Sequence, residues 1–159
     1  MTVRADLASR AAPARVRLAR LEDAPAIARL SGQLNYPTTA EDVVRRLQQM
    51  EGDAQLVVYL AELSDGAAAG TVIGWMHVEE RHLVQSDAPA EVTALVVEES
   101  YRSRGAGRLL MQAAEQWART RGCSVVMLRS NVIRERAHAF YERLGYENFK
   151  TQKVFRKVL

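Results

Sequence analysis

Three arginines and two glycines fall within seven residues, Arg102-Ser103-Arg104-Gly105-Ala106-Gly107-Arg108. The apolar run Val92-Thr93-Ala94-Leu95-Val96-Val97 leads into them, and Leu109-Leu110-Met111-Gln112-Ala113-Ala114 follows as the opening of a helix. A strand that feeds a glycine turn and then a helix suits an anion. The first N–H groups of a helix lack intrahelical partners and sit at the positive end of its dipole. Glycine lets a phosphate approach the backbone, and arginine holds phosphate oxygens in a planar fork. The turn therefore predicts phosphate binding, with a helix start that binds nothing as the plain alternative. Two nucleotide-binding patterns do not fit. A Walker loop ends in Gly-Lys-Ser/Thr, which does not occur here. A Rossmann turn needs a third glycine where this chain has Leu110, and its ribose-binding acid would fall where Ser130 and Asn131 stand.

The elements that must hold this turn follow from periodicity. Residues 15–20 alternate Val16 and Leu18 with arginines, the period of a half-buried strand. Asp23 is placed to cap a helix with Ile27, Leu30 and Leu34 as its apolar stripe. Thr38 with Glu41, or Thr39 with Asp42, can box the start of a second helix that buries Val43, Val44, Leu47 and Met50. Residues 56–63 and 71–78 read as a hairpin around the turn-rich 64–70, and 81–89 as a surface loop. Residues 91–97 form the strand into the turn, and the helix after it stops at Gly122. The apolar run 125–128 predicts a central strand covered on both faces. Residues 134–144 are helical again, and 146–149 and 153–158 read as closing strands. The order β-α-α-β-β-β-α-β-α-β-β predicts an α+β domain around a mixed sheet. Residues 1–14 read as a flexible leader and 15–159 as one domain.

With 159 residues, 48% hydrophobic and 26% charged, the chain suits one soluble core. It holds no run of about 18 apolar residues, so no membrane-spanning helix is expected. The single cysteine, Cys123, excludes an internal disulfide framework and fits a reducing cytoplasm. It lies between a helix-stop glycine and a buried strand without a His/Asp pattern, and reads as a quiet structural thiol. His82 and His138 show no metal spacing, so no metal is expected. The formal charge of +3 favours an anionic ligand but is too small to argue for nucleic acid.

The turn also fits Arg102-x-x-Gly105-x-Gly107 after a hydrophobic strand. A second stretch joins it: Ser130-Asn131-Val132, then Ala137-His138-Ala139-Phe140-Tyr141-Glu142-Arg143-Leu144-Gly145-Tyr146. These resemble two motifs of the GNAT superfamily of N-acetyltransferases. One is its acetyl-coenzyme A pattern, Gln/Arg-x-x-Gly-x-Gly/Ala; the other is its Asn-then-Ala-x-x-Phe-Tyr-x-x-x-Gly-Tyr segment. The element order over residues 16–159 is similar to that fold, which implies a mixed, mostly antiparallel central sheet with helices on both faces. One departure is Glu98-Glu99-Ser100, where many members carry a proline. It alters the strand exit and leaves the phosphate-binding residues in place.

The resemblance implies direct acetyl transfer from acetyl-coenzyme A to an amine. Its cofactor turn maps onto Arg102, Ser103, Arg104, Gly105, Ala106, Gly107 and Arg108, with backbone N–H groups from 104 to 108 on the pyrophosphate. Leu95, Val96 and Val97 would pair their backbone with the pantetheine arm, although their side chains also suit a plain core. The N–H of Val96 or Val97 would polarise the thioester carbonyl. Asn131 would bond the pantetheine from the other wall. Tyr141 matches the general acid: a phenol with its ordinary pKa of about 10 keeps a proton for the leaving thiolate. The alternative is a core aromatic. Glu91 matches the acidic residue that takes the acceptor's proton, directly or through a water, against the alternative of a solvated carboxylate. Glu79, Glu80 and His77 are runners-up. Tyr36, Glu79 and His82 are the candidate acceptor contacts beside Glu91.

Residues 91–97, 130–146 and 154–159 resemble bacterial small-amine acetyltransferases acting on aminoalkylphosphonates and aminoglycosides, which implies a small-molecule primary amine as acceptor. A protein or peptide amine, and a non-catalytic coenzyme A-binding sensor, are the other readings. No membrane partner is expected, and a nucleic-acid partner would call for interleaved aromatics that are missing. A homodimer through an edge strand near the C-terminus fits the family's habit.

Overall fold

The computed structural model describes residues 13–159. They fall into two compact units that divide between Leu128 and Arg129. The first holds a five-stranded sheet in the order β1-β2-β3-β4-β5. Its strands are β1 (Ala14–Leu18), β2 (Leu56–Leu63), β3 (Val72–Glu80), β4 (Ala90–Val97) and β5 (Val126–Leu128). The first four are antiparallel neighbours, and β5 runs parallel to β4. The same unit carries α1 (Ala24–Ser31), α2 (Ala40–Met50) and α3 (Ala106–Thr120); α4 (Glu135–Arg143) belongs to the second unit. Among the described residues no helix is long and apolar enough to cross a membrane. Of the expected leader, residues 1–12 lie outside the described residues. Ala14, placed at its end, already pairs with Leu63 in β1 because Ser64 N–H bonds Pro13 C=O and extends the ladder.

Alternation along the strands sorts the core into two faces. Leu60, Trp75 and Val96 stand opposite one another across β2, β3 and β4 and pack under Ala24, Ile27 and Leu30 of α1 and Val43 of α2. On the other face α3 buries Leu110, Met111, Ala114 and Ala118, while Leu109 stays on its rim. Each large side chain so buried is worth about 1.5–3 kcal/mol. The start of α2 is capped by Thr39, whose Oγ1 accepts from Asp42 N–H at 3.1 Å.

Four expectations change. Asp23 occupies the N-cap position of α1, yet its carboxylate makes no cap bond there and takes both Arg17 Nη groups at 2.8 Å instead. Leu18 is 59% exposed, since the buried Glu62 and Asp23 draw Arg17 inward in place of an apolar neighbour. β5 is a half-buried edge strand of three residues and not a covered central one, because among the described residues it pairs with β4 alone. No closing strands form at 146–149 or 153–158. The lysine–apolar alternation supplies a strand period, but a two-stranded ribbon needs a covered apolar face. Phe149, Val154, Phe155 and Val158 are each at least 70% exposed.

Candidate active site

β4 and β3 stay in register from Gly74↔Val97 to His77↔Ala94, then shift so that Val78 faces Val92. Thr93 is the extra residue of a bulge. On its other side β4 pairs with β5 only at Ala90, Glu91 and Val92. Within the first unit, therefore, residues 93–97 have a strand on one side only. The direction of each backbone group follows from two bonds. Glu98 N–H donates to Ile73 C=O at 2.8 Å, and Arg102 Nε donates to Val97 C=O at 3.1 Å. Polar groups alternate sides along a strand. Val96 thus faces β3, while Leu95 and Val97 present N–H and C=O to the side that β5 leaves uncovered.

The strand then enters a short 3-10 turn, Glu99–Tyr101, and α3 begins at Ala106. Glu98, the first residue of the Glu98-Glu99-Ser100 segment that departs from the family pattern, pairs with Arg29 of α1 at 2.9 Å. Gln33 Oε1 accepts Glu99 N–H at 3.1 Å. Both hold the turn from below. Ser103 and Gly105 have left-handed backbone, with φ of 61° and 94°; turns that mix left- and right-handed residues are the kind in which N–H groups gather around an anion. The first helical bond of α3 runs from Leu109 N–H to Gly105 C=O, so the N–H groups of Ala106, Gly107 and Arg108 stand outside the ladder. Arg104 lies over the Tyr101 ring at 5.6 Å from its centroid.

Two residues before the bulge, Glu91 is 4% exposed and faces Glu79 across the β3–β4 ladder. Arg81 joins them: its Nη1 hydrogen-bonds Glu79 Oε1 at 2.6 Å and its Nε stands 3.5 Å from Glu91 Oε2. These carboxylates raise the Arg81 guanidinium further above its already high ordinary value, the Glu79 hydrogen bond first among them. Of the runners-up, Glu80 is bound by Arg121 at 2.7 Å. His77 shares the face of Glu79, and burial pushes its imidazole below the ordinary value against the pull of Glu79. The ring is neutral at neutral pH, and its Nε2 is buried without a hydrogen-bond partner among the described residues. Tyr36 and His82 are exposed on the α1–α2 connection and the β3–β4 loop. Burial and then Glu80 raise the Cys123 thiol, with Arg121 opposing, so it stays protonated.

In the second unit Asn131 organises the entry to α4. Its Oδ1 accepts Ile133 N–H at 3.2 Å, its C=O accepts Arg134 N–H at 3.0 Å, and His138 Nε2 lies 3.0 Å from that C=O. Tyr141 meets Phe140 and Tyr146 edge-on, at centroid distances of 5.2 and 6.2 Å. Burial pushes its phenol above the ordinary value, against Arg134, so it holds its proton through neutral pH.

The family model described as Acetyltransferase (GNAT) family matches residues 21–146, across both units. The chain belongs to the GNAT acetyltransferase family. This acetyltransferase is 30% identical over 148 residues to an aminoglycoside N(6')-acetyltransferase type 1 of Stenotrophomonas maltophilia, covering 91% of this chain and 93% of that one. It is 34% identical over 79 residues to an aminoalkylphosphonate N-acetyltransferase of Salmonella typhimurium, covering 49% and 51%. In fold it is similar to an aminoglycoside N-acetyltransferase solved in complex with CoA, with a TM-score of 0.77, 17% identity and coverage of 91% and 94%. GNAT acetyltransferases use acetyl-coenzyme A.

Three residues that shape β4, its turn and the Glu79–Glu91 rung were not singled out by sequence reasoning. Gly74 lies inside β3, and a Cβ there would stand 2.8 Å from Val96 C=O. A glycine in a strand interior is the signal for such an approach. Arg29 and Arg81 act through partners distant in sequence or set by strand register, for which the sequence carries no local signal.

Proposed function

We propose that the protein transfers the acetyl group of acetyl-coenzyme A directly to the primary amine of a small molecule, its two units acting as one N-acetyltransferase domain. The observation that carries this reading is the course of β4. It parts from β5 after Val92 and runs into a glycine-capped helix start, offering open backbone and then an anion seat. These residues fit the coenzyme. The N–H groups of 104–108 would hold the pyrophosphate, and Leu95 and Val97 would bond the pantetheine amides as an added strand would. Val96 is turned to β3 and is not available to the thioester; Val97 N–H would bond the pantetheine, and Leu95 N–H, nearer Glu91 on the open side, would donate to the thioester oxygen.

Bound acetyl-coenzyme A supplies the activated acyl group. The protein moves the protons. Glu91 takes one from the acceptor ammonium, directly or through a water, and so frees its lone pair for attack. Tyr141 gives one to the departing sulfur; the burial that raises its phenol keeps that proton available. Asn131 holds the pantetheine, and Tyr36 and His82 contact the acceptor. Relatives that act on aminoglycosides and on aminoalkylphosphonates support a small amine as acceptor.

The test mixes the protein with acetyl-coenzyme A and, in turn, an aminoglycoside, an aminoalkylphosphonate and a peptide with a free N-terminus, following free thiol. Release with either small amine is the expected result. Release with the peptide alone would overturn the acceptor class. Thermal stabilisation by coenzyme A without thiol release would make this a binding module.

A further inference from the structure

The end of α2, the loop after it and the start of β2 line a groove of about 480 Å³ within the first unit. That is the size of a small-molecule site. Leu47 and Met50 of α2 and Leu56 and Val58 of β2 make it apolar, and the exposed Leu18 and Leu21 extend the lining. Its acids are Glu51 and Asp53, just past the C-terminal end of α2. Helix carbonyls make that end negative, and the last turn of α2 holds no basic residue to offset it. Among the described residues neither carboxylate is in an ion pair, and Arg20 of the lining pairs with Glu22 at 3.3 Å. The groove shares its rungs with the acceptor side of β4. Leu56 faces Glu79, which faces Glu91, and Val58 faces His77. Partners on one rung share a face of the sheet, and two strand spacings separate β2 from β4 by about 10 Å. Between them β3 presents Glu79, bonded to Arg81 at 2.6 Å, and the neutral His77.

We propose that this groove is the far half of the acceptor site and takes an aliphatic chain that ends in a second ammonium. Its apolar residues line the chain, while Glu51, Asp53 and the end of α2 meet the charge. This rests on the reading that the reacting amine comes to the Glu91 end of the rung. The acceptor class is then a linear diamine whose nitrogens stand about 10 Å or more apart. A shorter diamine reaches only β3, and a long monoamine leaves the acidic end unmet. Both carboxylates are exposed, so solvent screens the attraction and the charge is worth several-fold in affinity.

The test measures binding of 1,8-diaminooctane, 1-aminooctane and 1-aminobutane to the full chain with coenzyme A present, by calorimetry. 1-Aminooctane should bind at least about tenfold more tightly than 1-aminobutane, because the groove buries its extra methylenes. The double variant Glu51→Gln, Asp53→Asn removes the charge and keeps an acceptor for Gln55 N–H, which Asp53 Oδ1 binds at 2.8 Å. It should weaken the diamine by about threefold or more and change 1-aminooctane by less than about twofold. In the wild type the methyl resonances of Leu47, Leu56 and Val58 should move with both eight-carbon amines, and one diamine should bind per chain. Equal affinities for the octyl and butyl amines, unmoved methyls, a diamine affinity unaltered in the double variant, or two diamines per chain would overturn the inference. Thiol release with 1-aminobutane tests the reaction by itself. Its absence counts against that reading, whereas thiol release with unmoved groove methyls counts against this one.

Discussion

Arg102 donates from Nε to the carbonyl of Val97 at 3.1 Å, which fastens the first arginine of the turn to the last residue of the strand that enters it. The bond draws the chain back on itself across the Glu99–Tyr101 turn, while Arg29 on Glu98 holds the strand exit. In this arrangement Arg102 shapes the proposed anion seat through the backbone. Losing a charge-assisted hydrogen bond is worth about 1.5 kcal/mol. Arg102→Ala should therefore weaken coenzyme A binding about tenfold by calorimetry. Arg102→Lys should recover little of this, because an ammonium lacks a donor at the Nε position. Full affinity in Arg102→Ala would mean that Arg29 and Gln33 hold the turn without it.

Gly74 and Gly105 fail for different physical reasons when substituted. A Cβ on Gly74 meets Val96 C=O at 2.8 Å, Val97 Cγ2 at 3.3 Å and Leu110 Cδ1 at 3.4 Å. The nearest atom is backbone, so β3 and β4 must part along the stretch of β4 that is proposed to serve the coenzyme. Gly74→Ala should cost about 1–3 kcal/mol of stability in denaturant unfolding. Gly105 has open space around it but a φ of 94°. Its alanine variant should lose about 1–2 kcal/mol through the left-handed backbone alone. If that strain is relieved by shifting the turn, coenzyme A affinity falls while stability recovers. Two variants with the same unfolding profile and unaltered affinity would contradict both accounts.

The strand–turn–helix around Gly105 was legible because its signals are local: an apolar run, left-handed glycine, then helical spacing. The same holds for α1, α2, α3 and the β2–β3 hairpin. What needed the structure lies in contacts between distant residues. The alternation of Val16 and Leu18 argues that arginines point outward, yet Asp23 and Glu62 turn Arg17 inward and leave Leu18 exposed. Burial of Glu91 and its contact with Arg81 depend on which rung of β3 it faces, and register is not written in either strand alone. Residues 153–158 have a strand period, but a period supplies no partner. For Tyr141 and Asn131 the chemical roles came from family resemblance; composition and spacing said nothing of them.

The Arg17 network makes stability depend on pH. Arg17 gives Nη1 and Nη2 to Asp23 at 2.8 Å and Nε to Glu62 at 2.7 Å, where Arg15 Nε also donates at 2.7 Å. Burial alone would raise both carboxyls, but these hydrogen bonds and charges more than offset it, and both end below their ordinary values. A carboxyl lowered on folding stabilises fully above its unfolded pKa, about 3.9 for Asp and 4.3 for Glu, and the gain is lost as pH falls through the folded value. The wild type should hold its stability down to about pH 4.5 and lose it below. Arg17→Met leaves Asp23 buried beside an apolar chain, at a cost of about 3–5 kcal/mol at neutral pH. With burial unopposed by Arg17, that carboxyl protonates more readily on folding, so the deficit shrinks as pH falls from about 7 to about 4.5. Urea unfolding across that range checks it, and a deficit independent of pH would remove Asp23 from the argument.

Tyr141→Phe isolates the proton from the ring. The substitution keeps the edge contacts with Phe140 and Tyr146 and removes only the hydroxyl. If the phenol gives its proton to the leaving sulfur, turnover falls at least about tenfold, a barrier change of about 1.4 kcal/mol, while coenzyme A affinity is unchanged. The loss should shrink for acyl donors whose leaving group is a weaker base, since a stable thiolate needs no proton. That dependence separates acid catalysis from packing, because a ring that merely fills space would lower turnover equally for every donor. Steady-state rates with two thioesters of different leaving-group basicity supply the comparison. Equal losses, or none, would take Tyr141 out of the chemistry and leave it an aromatic of α4.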